Sequence, residues 1–175
     1  MTDYYTQTVI HQQIPERLIA PFERLLLDEI FDSDTRDGAV HYYASEFPSD
    51  FLTLNRHAVE KALSGCHMRS RVRSALLEDF LKSDPEQDYF GFELATVSDY
   101  TVILQDIVRR SKAELPYLTV AAAFTCSELR SNAVGGMAII ITPSRISHRC
   151  TDAFFGRFEE RWARKVGHRQ KEVIQ

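Results

Sequence analysis

Two apolar runs separated by a short mixed stretch, YLTVAAAFTCSELRSNAVGGMAIIIT from Tyr117 to Thr142, restrict the fold of this chain more than any other feature. Each run has the length of a strand, and together they read as the core hairpin of a small domain. LPYLTVAAAF is apolar at consecutive positions, not alternate ones, which predicts a central strand covered on both faces. GGMAIIIT is its expected neighbour. The glycines ahead of it fit a turn, a bulge or a close backbone approach. A phosphate cradle would instead need a GxGxxG or Walker-type glycine loop between a strand and a helix. The intervening loop, Thr125 to Gly135, is a candidate binding edge through Glu128, Arg130 and Asn132.

The flanking sequence supplies partners for that hairpin. YYTQTVIHQQI mixes β-branched and aromatic residues in part-alternation, predicting a strand over about Tyr5 to Gln13 that Pro15 ends. Pro21 suits a first helical position because its φ is already fixed there. Phe22, Leu25, Leu26 and Ile30 then follow at helical spacing. The acidic stretch DEIFDSDTRDG reads as a solvated loop with a turn at Asp37-Gly38. AVHYYASE and Phe51 to Leu54 are further strands. Asn55 is placed to cap a helix over RHAVEKALSG, with Gly65 as terminator. SRVRSALLEDFLKSD is amphipathic and stops at Asp84-Pro85. YFGFEL is a short strand, and Ser98 or Asp99 caps the helix in DYTVILQDIVRRSKAEL. Thr151 or Asp152 is the expected cap of a basic amphipathic helix over about 151–166, docked through Phe155, Phe158, Trp162 and Val166. The order β–α–β–β–α–α–β–α–β–β–α predicts a single α+β domain over residues 1–175. It would carry one mixed, mostly antiparallel sheet of about five to six strands with helices packed on it.

Charge is unevenly spread over a chain whose net charge is −4. From Met1 to Glu60 eleven acids stand against four bases; from Gly156 to Lys171 six bases stand against two acids. Such a gradient steers charged partners. Arg157, Arg161, Arg164 and Lys165 form a basic ridge beside Phe158 and Trp162, a pairing of residue types that also occurs in nucleic-acid binders. The acidic total disfavours that reading, and a protein partner is the expectation, with a homodimer allowed. No apolar run approaches the ~18 residues of a membrane span, and no basic segment of signal-peptide type opens the chain. No membrane partner is expected. Cys66, Cys126 and Cys150 are an odd set without CxxC spacing, which points to a reducing cytoplasm.

Little in the chain carries chemistry. Cys126, at the end of the first apolar run, is the one candidate nucleophile for a small cysteine-dependent enzyme. It would need a histidine brought close by folding and a lowered pKa. None of the six histidines lies in a protease, transferase or phosphatase signature, and a thiol at a strand end is an ordinary core residue. Cys66-His67 and His148-Arg149-Cys150 have zinc-ligand side chains, but adjacent and i, i+2 spacings do not chelate a metal from one turn. The carboxylate pairs Asp28-Glu29, Glu78-Asp79 and Glu159-Glu160 are adjacent and diverge on a helix. The expectation is therefore no metal and no cofactor, and it leans against an enzyme, with a small enzyme using Cys126 kept as the alternative.

YYTQTVIHQQIP, PFERLLLDEIFD, FELATVSDYTVILQDIVRRS and LPYLTVAAAFTCSELR with GGMAIIIT together resemble a family of small proteins encoded on proteobacterial plasmids and integrated mobile elements. The likeness covers most of the chain to about Thr142, and VAAAFTCS with GGMA is its most specific part. No activity is established for that family, so no catalytic role carries over. The resemblance implies a context only: a bacterial accessory protein of the cytoplasm. The functional expectation set in that context is a protein that binds another protein, such as a host defence or DNA-processing complex. Two positions depart from the pattern. Ala20 stands where a hydroxyl cap would precede Pro21, and the segment after Pro143 is more basic and aromatic.

Overall fold

The computed structural model describes residues 4–66, 68, 70–126 and 134–172. In chain order its elements are β1 (Tyr4–Ile10), β2 (Ile14–Pro15), α1 (Pro21–Ile30), β3 (Asp32–Arg36), β4 (Ala39–Ala44), β5 (Phe51–Asn55), α2 (Arg56–Ser64), α3 (Arg71–Lys82), β6 (Tyr89–Glu93), α4 (Tyr100–Arg110), β7 (Leu118–Cys126), β8 (Val134–Ile141), β9 (Ile146–Cys150) and α5 (Thr151–Glu172). The fold is α+β, as the pattern of runs predicts. The main sheet runs β3–β4–β1–β7–β8–β9, with β2 continuing the β1 side of β4. Every pairing among the described residues is antiparallel.

The hairpin of the two apolar runs is the centre of this sheet, with Leu118 to Thr125 opposite Ile141 to Val134. Four strands differ from expectation. The first strand stops at Ile10, not about Gln13, and Pro15, expected to end it, lies in the separate strand β2 paired with β4. The acidic stretch is not a loop: Asp32–Arg36 pairs with β4 across the two-residue turn Asp37-Gly38. Both turn residues have positive φ, 52° and 73°, a combination that matches the twist of the flanking strands. A further strand, β9, follows the hairpin. Phe51–Asn55 leaves the main sheet and pairs with β6 in a separate two-stranded sheet.

Local signals position the helices. Asn55 accepts from the Ala58 amide (3.0 Å), and Ser70 from that of Arg73 (3.2 Å). Asp99, not Ser98, caps α4 by accepting from Thr101 (2.8 Å). At Ala20 no hydroxyl is available. The Glu23 carboxylate one turn on accepts from the Ala20 amide instead (2.9 Å). Glu23 is fully buried, and Arg110 at the end of α4 grips it through both nitrogens (2.8 and 2.6 Å), joining α1 to α4. Burial pushes the Glu23 carboxyl above its ordinary range, against the opposing pull of Arg110.

One face of the main sheet is covered. Ile10, Val40, Tyr42, Leu118, Val120, Ile139 and Ile141 join one apolar cluster with Phe22, Leu26 and Leu27 of α1 and Ile103, Leu104 and Ile107 of α4. Among the described residues nothing covers the other face of β7, contrary to expectation. Thr119 and Ala121 are half-buried, and Ala123 and Thr125 are exposed. β7 is apolar at consecutive positions because three successive alanines occupy both faces, not because both faces lie in a core.

Candidate interaction surface

The antiparallel register fixes what the uncovered face presents, since directly opposed residues share a face. Asp32 lies opposite Tyr43, Tyr43 opposite Val9, Val9 opposite Ala121, Ala121 opposite Ala138, and Ala138 opposite Arg149. A single row thus crosses six strands, with a carboxylate at one end, a guanidinium at the other and apolar residues between. Ala123 and Gly136 lie in the next row, so the middle of the face is floored by side chains no larger than a methyl group. Tyr43 stands at its border, 41% exposed, and Ile140 is 46% exposed farther along β8. A groove of about 430 Å³ is lined by Val9, Tyr43, Ser45, Ala121 and Ala123.

Beyond Ser45 the surface turns acidic. Asp28, Glu29, Asp32 and Glu46 line a second cleft of about 290 Å³ beside Phe47. Ala44 and Ser45 belong to both, so floor and cleft are continuous. Under this edge Arg24 donates to Asp28 (2.7 Å) and lies over the Tyr42 ring. Burial, with the Asp28 carboxylate second, pushes the Tyr42 phenol far above its usual range.

The opposite edge is basic and aromatic. α5 starts at Thr151, directly after β9, with no linker. Thr151 is therefore inside the helix and does not cap it from outside; its hydroxyl accepts from the Gly136 amide of β8 (3.2 Å), tying the first turn to the sheet. The predicted docking through Phe155, Phe158 and Trp162 is not found. Phe154, Phe155, Phe158 and Trp162 are 57% to 63% exposed, and the Val166 side chain lies outside the described residues. α5 continues directly from the edge strand β9 and touches the sheet along β8 and β9, while these four aromatic side chains stay exposed. Phe158 and Trp162 stack on each other, centroids 6.2 Å apart and planes 12° from parallel. Arg157, Arg161 and Arg164 are exposed along the same side, and Arg149 shares a shallow groove with Phe154, Arg157 and Arg161.

The other sequence candidates fall elsewhere. Lys165 lies on α5, but its side chain is outside the described residues, as are Glu128, Arg130 and Asn132 of the predicted binding loop. Cys126 ends β7 half-buried, and no hydrogen bond among the described residues joins it to a histidine. No group of three or more metal-ligating side chains gathers among the described residues, and no helix there is long and apolar enough to cross a membrane. The apolar floor and its charged ends were missed in the sequence. The available signal was the AAA of β7, too small to fill a core layer, beside the polar alternation of YTQTV. No family model, curated protein or solved structure matches this chain.

Proposed function

We propose that this is a non-enzymatic interaction protein whose working surface is the aromatic and basic side of α5 together with the uncovered sheet face. The observation that carries it is the exposure of four aromatic side chains on one helix. Contiguous exposed apolar patches with a polar rim mark interaction sites, and aromatics with arginine are the residue types that anchor them. We place the protein among bacterial accessory proteins of mobile elements, with a host defence or DNA-processing complex as the partner class. Three unpaired cysteines fit the reducing cytoplasm that such a role requires.

The test is capture from native lysate with and without nuclease, comparing wild type with Phe158→Ala/Trp162→Ala and with Cys126→Ser. Capture that survives nuclease and Cys126→Ser but is lost with the two aromatics supports the proposal. Capture abolished by nuclease would move the reading to nucleic acid, where Arg157, Arg161 and Arg164 would neutralise phosphates and the stacked pair would meet bases. Cellular activity lost with Cys126→Ser in a folded protein would move it to an enzyme.

A further inference from the structure

We infer that the uncovered sheet face receives α5 of a second copy of this chain, giving a two-fold dimer in which the helices are exchanged. The inference rests on the interaction reading above and names its first partner.

Four observations carry it. The first is size. Phe154 to Trp162 is nine residues, about 12 Å of helix from first to last. The floor from Tyr43 through Val9 and Ala121 to Ala138 is three strand spacings wide, about 14 Å. The second is shape: large exposed aromatics stand on the helix, and a groove walled by Tyr43 and floored by Ala121 and Ala123 stands on the sheet. Knobs on one surface and a floor of methyl groups on the other allow the close approach that good packing needs.

The third is charge. The row Asp32–Tyr43–Val9–Ala121–Ala138–Arg149 reverses sign from end to end. A two-fold axis normal to that row would set the basic edge of each copy against the acidic cleft of the other. Arg157 and Arg161 would then face Glu29 and Asp32. Such an arrangement is isologous and closes on itself. The fourth is the junction. No residue separates β9 from α5, and Thr151 is bonded to Gly136, so the first turn is held at the sheet edge while Phe154, Phe155, Phe158 and Trp162 stay exposed. In this arrangement α5 leaves the floor of its own sheet open to another molecule. Four aromatics at about 150–250 Å² each, more than half exposed, offer roughly 400–500 Å² per helix. Matched by the sheet and doubled by symmetry, this reaches the ~1,600 Å² of a stable interface.

The experiment is sedimentation velocity on the full chain over a wide concentration range. A discrete, concentration-dependent dimer is expected. Phe158→Ala/Trp162→Ala, and separately Ala123→Glu in the floor, should each weaken it on the order of 100-fold. Both sites are exposed, so the monomer should melt unchanged. Arg157→Glu/Arg161→Glu and Glu29→Arg/Asp32→Arg should each be monomeric alone but form a dimer when mixed, because the mixture restores both contacts. A wild type that stays monomeric, a dimer indifferent to the aromatic or floor variants, or reversal variants that fail to combine would each overturn the inference. A monomer whose lysate capture still depends on Trp162 would leave the interaction reading standing without it. A dimer that captures nothing would do the reverse.

Discussion

Glu23 is the side chain on which the joint between the first and last core helices depends, and removing it gives the most demanding test of the fold. Its carboxylate is fully buried and accepts three hydrogen bonds, two from Arg110 and one from the Ala20 amide. Glu23→Ala removes the only side-chain partner of the α1 N-terminus among the described residues and leaves the Arg110 guanidinium, 28% exposed, without its carboxylate partner. Breaking a buried pair from one side costs about 3–5 kcal/mol. For a chain of this size 1 kcal/mol moves Tm by about 2–4 °C, so the expected loss is about 6–20 °C. Glu23→Gln keeps the shape and one acceptor but turns an amide N–H toward an N–H, and should cost about 1–3 kcal/mol near neutral pH.

The pH dependence has a definite sign. Burial, outweighing Arg110, places the folded pKa of Glu23 above its unfolded value. Below the unfolded value, about 4.3, both states are protonated and the group's stabilising term is fully present. That term is lost as the pH rises through the folded pKa. The margin of wild type over the non-titrating Glu23→Gln should therefore shrink as pH rises from about 4.3 through the raised value. Urea midpoints for both proteins at several pH values measure it. A Glu23→Ala variant as stable as wild type, or a margin that widens with pH, would refute the account of the joint. Replacing both partners, Glu23→Met with Arg110→Leu, should recover most of the loss, since a buried pair is no net gain over well-packed apolar groups.

Three other outcomes follow from the geometry. Amides of Val120 to Ala122 and of Ile139 to Ile141 lie on strands paired on both sides and should be among the slowest to exchange with solvent; fast exchange there would contradict the central hairpin. Gly136→Ala would bring a methyl group 3.2 Å from the Ala122 carbonyl oxygen. Backbone cannot swing aside, so the variant should lower stability by about 1–3 kcal/mol in a urea titration. Gly91→Ala meets the Phe51 ring at 2.6 Å, but that ring is largely exposed and free to turn, so the same titration should show little change.

How much of this was legible depends on which forces decide each element. The central hairpin, the amphipathic helices and the Asn55 and Asp99 caps follow from periodicity and side-chain chemistry within a few residues. β3 did not, because DSDTR has no apolar residue to pattern. It forms because Asp37-Gly38 adopts the hairpin turn and β4 supplies a ladder of backbone hydrogen bonds. The Asp37-Gly38 turn is legible ahead of AVHYY, but the polar strand on its other side is not. α5 failed for a different reason. Its stripe of Phe155, Phe158 and Trp162 has the spacing of a core face, and spacing cannot say whether a core lies opposite. That is settled by the direction in which β9 launches the helix, a tertiary fact with no local signature. The uncovered floor was hidden in the same way: alanine satisfies a buried strand and an open one equally well.

The two edges of the sheet explain why association should go through a face. An edge strand exposes unpaired backbone groups and invites strand addition unless charge, brevity or cover prevents it. β3 is five residues long and carries Asp32, Asp34 and Arg36, with Arg36 paired to Asp34 (2.7 Å). β9 is also five residues, carries His148 and Arg149, and runs directly into α5. Both edges are thus protected by short length and charge. The face between them has no comparable protection along Val9, Ala121, Ala123 and Ala138, and it is on this face that charge is graded from Asp32 to Arg149. A surface meant only for solvent would intersperse its charges on the floor, because bare apolar floor raises the risk of aggregation. Placing lysine at Ala121 and Ala138 should cost little fold stability, since both positions face away from the core. A construction with this layout is accounted for when the floor has a dedicated occupant, and the unpartnered aromatic stripe of α5 is the surface within the same chain that fits it in size, shape and charge.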